Sequence, residues 1–327
     1  MRGAAAWAAL AVLAAACGGG SGSDGADGAA RSAGQFAVGT RFETLVDETR
    51  GTEGREGVDP KPTRTFETVV YYPATGESGG DPRPGAPAAA TGGGFPLVVF
   101  SHGSGVSSPV RYDLLFRYWA AAGYVVVAPK YPISSTSLPD NSADVVSQPA
   151  DISFLISEFL RRSPGLVDAS RIAAAGHSLG GVMTMGAVFN RCCLDPRIRA
   201  GIVLAGGKSA FPDDGWFAGI RTPLLVVHGD DDRIVRIAAG QEVFTSAPAP
   251  KAMLTVFGGD HNRPYGGALT TTENAERLGA TAGGPTAIVN QTVVAFLDRY
   301  VKDRPRALTD LAERLLDEVS VKLEVVE

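Results

Sequence analysis

The run Gly176-His177-Ser178-Leu179-Gly180-Gly181 constrains this chain more than any other stretch. It follows the apolar segment Arg171-Ile172-Ala173-Ala174-Ala175 and precedes a helix-compatible stretch, so it falls where a strand turns sharply into a helix. A serine hydroxyl is a weak nucleophile at neutral pH until its surroundings activate it. Small residues two before and two after Ser178 permit the tight strand-to-helix elbow that presents such a hydroxyl. A helix opening at Leu179 also directs free N–H groups and its positive dipole end towards the place where an oxyanion would form. The five-residue pattern alone arises by chance in Gly-rich chains, and this one holds 41 glycines, so the weight falls on what accompanies it.

Three further segments supply the other parts of an acyl-transfer site. Phe95-Pro96-Leu97-Val98-Val99-Phe100 is a buried-strand run ending in Ser101-His102-Gly103-Ser104-Gly105, a loop whose Ser104 N–H can pair with that of Leu179 as an oxyanion hole. Pro223-Leu224-Leu225-Val226-Val227 is a second such strand, and His228-Gly229-Asp230-Asp231-Asp232-Arg233-Ile234-Val235 follows it. A carboxylate just past a strand end can reach an imidazole at the edge of the sheet. Asp232 is the choice, because Ile234-Val235 reads as the start of the next buried element; Asp231 is the fallback. Leu254-Thr255-Val256-Phe257 is the last strand of the set, and Gly258-Gly259-Asp260-His261-Asn262 can fold back over the site with His261 as general base. The chain has four histidines, each at a strand end in one of these segments. His102, His177 and His228 read as hydrogen-bonding supports of their loops, and Asp230 and Asp260 as solvated or turn-forming residues.

With Tyr71-Tyr72-Pro73-Ala74 upstream, these segments resemble the dienelactone-hydrolase-like branch of the α/β-hydrolases, with its relatives similar to platelet-activating-factor acetylhydrolase, chlorophyllase and bacterial polyester hydrolases. The order Ser, Asp, His along the chain is the one α/β-hydrolases use. The likeness runs over roughly residues 40 to 303. It implies an α/β-hydrolase fold, a mostly parallel central sheet flanked by helices with little or no cap domain. It also implies hydrolysis of carboxylic esters through an acyl-enzyme, with Ser178, Asp232 and His261 as the triad and no cofactor. Dienelactone hydrolases proper carry cysteine where this chain has Ser178, so their substrate is not implied.

The hydrophobic patterning agrees. Residues 41–46, 65–72, 97–101, 124–128, 171–175, 200–205, 223–228 and 252–257 read as strands, and 111–122, 150–162, 179–190, 236–246 and 287–302 as helices. Such alternation implies crossovers that gather loops from several strand C-termini around one site. Residues 75–94, rich in Gly, Pro and Ala, read as an exposed connection. The connections 129–148 and 208–221 are too short for a sizeable lid, and Tyr131, Phe211, Trp216 and Tyr265 are candidates to line an open cleft, which suits exposed or bulky esters better than a substrate that must be enclosed; the expected partner is a small-molecule or polymeric ester. In residues 304–327, Leu308, Leu311, Leu315 and Val319 recur at helical spacing, so a helical tail is expected to pack an apolar stripe on the domain or a partner.

The N-terminus carries an address. Met1-Arg2 precedes an Ala-rich apolar run that ends in Leu13-Ala14-Ala15-Ala16-Cys17, which resembles a bacterial lipoprotein signal with Cys17 as the lipidated first residue of the mature chain. An ordinary signal peptide with an incidental cysteine is the alternative. Residues 18–38 read as a flexible tether and 39–303 as the hydrolase domain. The expected location is therefore the bacterial cell envelope, with a membrane as partner through the anchor, or a secreted soluble form. A net charge of −5 and the lack of basic runs interleaved with aromatics argue against nucleic acid. Cys192 and Cys193, the remaining cysteines, have no histidine nearby and offer no metal site. Two idle thiols near a helix end is the plainer reading of that pair; a vicinal disulfide is the other. An amidase or peptidase on the same scaffold and a non-catalytic binding lipoprotein are the competing functional classes.

Overall fold

A computed structural model describes residues 36–138, 142–265 and 284–327. Among these, one sheet is built from β1 (Ala37–Asp47), β2 (Arg64–Ala74), β3 (Arg83–Pro84), β4 (Phe95–Ser101), β5 (Val125–Lys130), β6 (Val167–His177), β7 (Ile198–Leu204), β8 (Leu224–Gly229), β9 (Lys251–Val256) and β10 (Val321–Val326). Its order is β10-β9-β8-β7-β6-β4-β5-β2-β1-β3. The six central strands β4 to β9 are parallel, whereas β2 runs antiparallel to both β1 and β5, and β10 antiparallel to β9. The helices are α1 (Asp113–Ala121), α2 (Gln148–Arg162), α3 (Leu179–Phe189), α4 (Ile237–Ser246), α5 (Pro285–Tyr300) and α6 (Ala307–Arg314).

Near-continuous apolar strands follow from burial on both faces. Val98 and Phe100 of β4 join a core with Phe116 and Trp119 of α1, Val293 and Phe296 of α5 and Leu308 of α6. Leu97 and Val99, pointing the other way, join Ile152 and Leu155 of α2, Met183 and Met185 of α3 and Val243 of α4. Two core layers therefore sandwich the sheet. α3 is buried on all sides from Gly180 to Phe189, which its near-total lack of polar residues requires. It can press close to the sheet because β6 offers Ala174 and Gly176 on that face, and Gly201 of β7 leaves room for the Phe189 ring.

The structure departs from the sequence expectations at both ends. β1 begins at Ala37, so the last residues assigned to the tether already belong to the sheet. Its start pairs with the end of β2, Ala37 opposite Ala74, and the Phe36 N–H donates to the Ala121 carbonyl at 3.1 Å. The chain thus joins the domain where β5 begins, at the pole opposite the C-terminal ends of the parallel strands. At the other end, Leu308 and Leu311 of α6 are buried as the helical spacing predicts, but the helix stops at Arg314 and Val319 is 89% exposed. The remainder is β10, in register with β9 from Val321 opposite Val256 to Val326 opposite Lys251. Pairing the exposed edge of β9 outweighs continuing a helix whose next apolar residues would face water. Residues 1–17 and most of the tether, with Cys17, lie outside the described residues. Among those described, no helix is long and apolar enough to cross a membrane.

Candidate active site

Four strand ends meet at one pole. β6 runs to His177, and Ser178 makes the turn into α3 with φ +56° and ψ −120°, a strained conformation for a residue with a Cβ. The strain is held by neighbours on both sides. The Ser178 N–H donates to Leu204 O at 2.9 Å, and its carbonyl accepts from Gly181 N–H at 2.9 Å. Glycine is obligatory around it: a Cβ at Gly176 would collide with the Gly180 carbonyl, and one at Gly180 with the carbonyl of Ser101. The first turn of α3 therefore abuts the loop after β4, and the Leu179 N–H is left without a hydrogen-bond partner among the described residues.

The loops after β8 and β9 deliver the other two residues together. The Asp231 N–H donates to Gly259 O at 3.1 Å and the Gly258 N–H to Asp230 Oδ1 at 2.6 Å, so the two loops are fastened to each other. Gly258 turns with φ +68°. His261 then lies with Nε2 2.9 Å from Ser178 Oγ and Nδ1 2.7 Å from Asp232 Oδ2. Asp232 is 2% exposed, and its Oδ1 accepts from the N–H groups of Ile234 and Val235, both at 2.9 Å. A carboxylate so placed is satisfied without protonation. Since its Oδ2 can only accept, His261 Nδ1 carries the proton and Nε2 faces the serine as a base. Asp231, the fallback, is exposed and pairs with Arg233 at 3.1 Å. Asp260 closes its own turn, accepting from Asn262 and Arg263 N–H.

The remaining histidines are buried and neutral, each with a tautomer set by its partner. His102 donates from Nδ1 to Gly103 O at 2.8 Å and accepts the Tyr131 N–H at Nε2, and burial pushes its pKa down to about 4. His228 donates from Nε2 to Val235 O at 2.8 Å, bracing the Asp232 loop, and burial lowers its pKa too. His177 donates from Nε2 to His261 O at 2.7 Å, and burial, aided by repulsion from His261, lowers it to about 3.

The candidate oxyanion loop 102–105 is pinned on both sides of Ser104. The Gly103 N–H donates to Tyr112 Oη at 3.1 Å and the Gly105 N–H to Ser134 O at 2.8 Å. Ser134 is held in turn by Gln148 Nε2 at 3.1 Å, which also donates to Asp144 Oδ1, and Asp144 pairs with the buried Arg64 at 3.0 Å. None of Tyr112, Ser134 or Gln148 stood out in the sequence, because no local motif marks them.

The expected cleft aromatics fare differently. Tyr131 and Tyr265 are fully buried, so they do not line an open cleft. Tyr131 Oη meets Ser101 Oγ at 2.8 Å, and Tyr265 Oη donates to Val227 O at 3.1 Å. Each hydroxyl is paired inside the molecule, which is what lets so large a ring be buried whole. Phe211 lies against Gly186 of α3 and stands edge-on to Trp216. Cys192 and Cys193 are disulfide-bonded to one another, not idle thiols, in the turn after α3. A turn brings neighbouring Cβ atoms to the same side, as an extended strand does not.

The fold is that of an α/β-hydrolase: a mostly parallel sheet with helices on both faces and Ser178 at the strand-to-helix elbow. Residues 83–195 match the family model of chlorophyllase. A chlorophyllase type 0 of Chenopodium album is 32% identical over 97 residues, a match that takes in only 27% of this chain and 27% of that relative. A ferulic acid esterase from Streptomyces cinnamoneus superposes with a TM-score of 0.68 at 22% identity, covering 90% of this chain and 98% of the other.

Proposed function

We propose that this protein is a serine hydrolase that cleaves carboxylic esters through an acyl-enzyme, with Ser178, His261 and Asp232 as its triad. The observation that carries the reading is the unbroken line Ser178 Oγ, His261, Asp232, with contacts of 2.9 and 2.7 Å, at an elbow whose helix offers an unpaired N–H. The names of the relatives, a ferulic acid esterase and a chlorophyllase, fit ester chemistry.

In this mechanism His261 Nε2 takes the Ser178 proton as Oγ bonds to the acyl carbon. The carbonyl electron pair moves onto oxygen, where the N–H groups of Leu179 and Ser104 hold it. Collapse breaks the bond to the alcohol oxygen, which leaves with the proton from His261. Water then repeats the sequence: His261 takes one of its protons, the oxygen bonds to the acyl carbon, and the acid departs as Ser178 regains its hydrogen. Asp232 steadies the imidazolium in both halves.

Fluorophosphonate labelling and turnover of nitrophenyl esters of graded chain length, with anilide controls, test the reading. Ester turnover and labelling are expected in the wild type and abolished in Ser178→Ala, whose unfolding curve stays near that of the wild type. Equal labelling of the two proteins would remove Ser178 from the mechanism, and anilide turnover matching the esters would favour an amidase. The apolar run ending at Cys17 supports the further proposal of a lipid-anchored enzyme of the cell envelope.

A further inference from the structure

The candidate oxyanion loop and the His261 loop follow different strands, β4 and β9, which are not neighbours in the sheet. They are nevertheless joined by one chain of hydrogen bonds through the interior. The Gly103 N–H donates to Tyr112 Oη at 3.1 Å, Tyr112 Oη lies 2.9 Å from His177 Nδ1, and His177 Nε2 lies 2.7 Å from the His261 carbonyl. Tyr112 is 1% exposed and His177 3%, so water has little access to any link.

The polarity of this chain has one solution. A carbonyl cannot donate, so the proton between His177 and His261 sits on His177 Nε2. A neutral imidazole has one N–H, so His177 Nδ1 is an acceptor and the Tyr112 hydroxyl must donate to it. That leaves the tyrosine oxygen a lone pair, which receives the Gly103 N–H. Every donor has an acceptor, in a single direction from the oxyanion loop to the base. A protonated His177 would set two donors against each other at Tyr112, and burial keeps it neutral.

From this we infer that Tyr112 and His177 are positioning residues for the reaction: they hold the Ser104 N–H and the His261 imidazole in mutual register. The inference rests on the hydrolase reading above. Ser104 lies between Gly103 and Gly105, whose N–H groups are both pinned, so the Tyr112 bond helps to orient it, together with the bonds that Gly103 O accepts from His102 Nδ1 at 2.8 Å and Val106 N–H at 3.3 Å. On the other side, the His177 bond fixes the backbone from which the His261 ring extends, and the two rings lie 4.8 Å apart. Both side chains are buried and present almost no surface to a substrate. Removing a link therefore affects stabilisation of the tetrahedral intermediate and leaves ground-state binding alone.

Tyr112→Phe keeps the ring and deletes the hydroxyl that joins the two halves. The expected result, per fluorophosphonate-labelled site, is a kcat lower by about ten-fold with KM within about two-fold. Affinity for a trifluoromethyl ketone, whose hemiketal oxygen needs the oxyanion donors, falls by a similar factor, while affinity for the corresponding alcohol does not. His177→Gln lowers kcat in the same way, and the double variant is little worse than the poorer single one, because both cut one chain. Wild-type protein that is not labelled at Ser178 overturns the hydrolase reading and this inference with it. Labelled wild type with an unchanged kcat in Tyr112→Phe, or with single losses that multiply in the double variant, overturns this inference alone. Should His177→Gln fail to fold, the kcat and ketone measurements on Tyr112→Phe decide the matter.

Discussion

At the scale of single residues, the site depends on who may donate and who may only accept. Asp232 is chosen over Asp231 by its surroundings: two backbone N–H groups and the His261 ring claim its oxygens, whereas Asp231 faces solvent with Arg233. Asp232→Asn puts an NH₂ or a carbonyl where only a carboxylate satisfies every partner. Its kcat is expected to fall by roughly 10³- to 10⁴-fold, against less than about three-fold for Asp231→Asn, as read from ester turnover. The sequence pointed to Asp232 through the Ile234-Val235 pair after it, and those two residues supply the N–H groups that bind it. It did not point to Tyr112, because nothing local marks a tyrosine whose partners sit 9 and 65 residues away, on the oxyanion loop and at the end of β6.

Two buried histidines also set a stability limit in acid. Burial pushes the pKa values of His102 and His177 from the ordinary 6.5 down to about 4 and about 3, so the folded state resists their protonation and the unfolded state does not. Their depressed values give stability that is complete above pH 6.5 and is lost as pH falls towards 4 and 3. Within that window each costs up to about 1.4 kcal/mol per pH unit. The unfolding temperature should therefore decline steadily below pH 6.5, and less steeply in His102→Gln, which cannot charge. Parallel declines in the two proteins would show that His102 already titrates freely when folded.

Among the elements, the central strands and their helices were legible because burial on both faces writes itself as apolar runs, and α1 to α5 as helical spacing. The exceptions were the two ends, β1 starting earlier than expected at Ala37 and, more consequentially, the C-terminal tail. Leu308, Leu311, Leu315 and Val319 continue a helical period past the point where the helix stops, and that period masks a second one: Val321, Leu323 and Val325 alternate with Lys322 and Glu324. The alternation was the available sign of β10. Its role is predicted by what it covers. A chain ending at Val319 exposes the whole edge of β9, the strand that leads into the His261 loop, and loses the Phe257 N–H bond to Ser320 O. Such a truncation is expected to lower the unfolding temperature by at least several degrees and to promote aggregation, measured by light scattering on heating. An unchanged melting curve would mean that β10 contributes little to the sheet.

For the molecule as a whole, the start of the described chain at Phe36 and the site lie at opposite ends of the same sheet. Cys17→Ser is expected to move the enzyme from the membrane fraction to the soluble one, or to block its processing, with little change in turnover by the folded domain. An unmodified N-terminus beyond Cys17 in freshly isolated protein would refute the anchor and leave the triad standing. The first strand of the domain starts at the pole where β5 begins, while Ser178, His261 and Asp232 occupy the far pole. An anchor at Cys17, as proposed, would join the domain on the side away from Ser178, so the lipid attachment itself would leave the nucleophile uncovered.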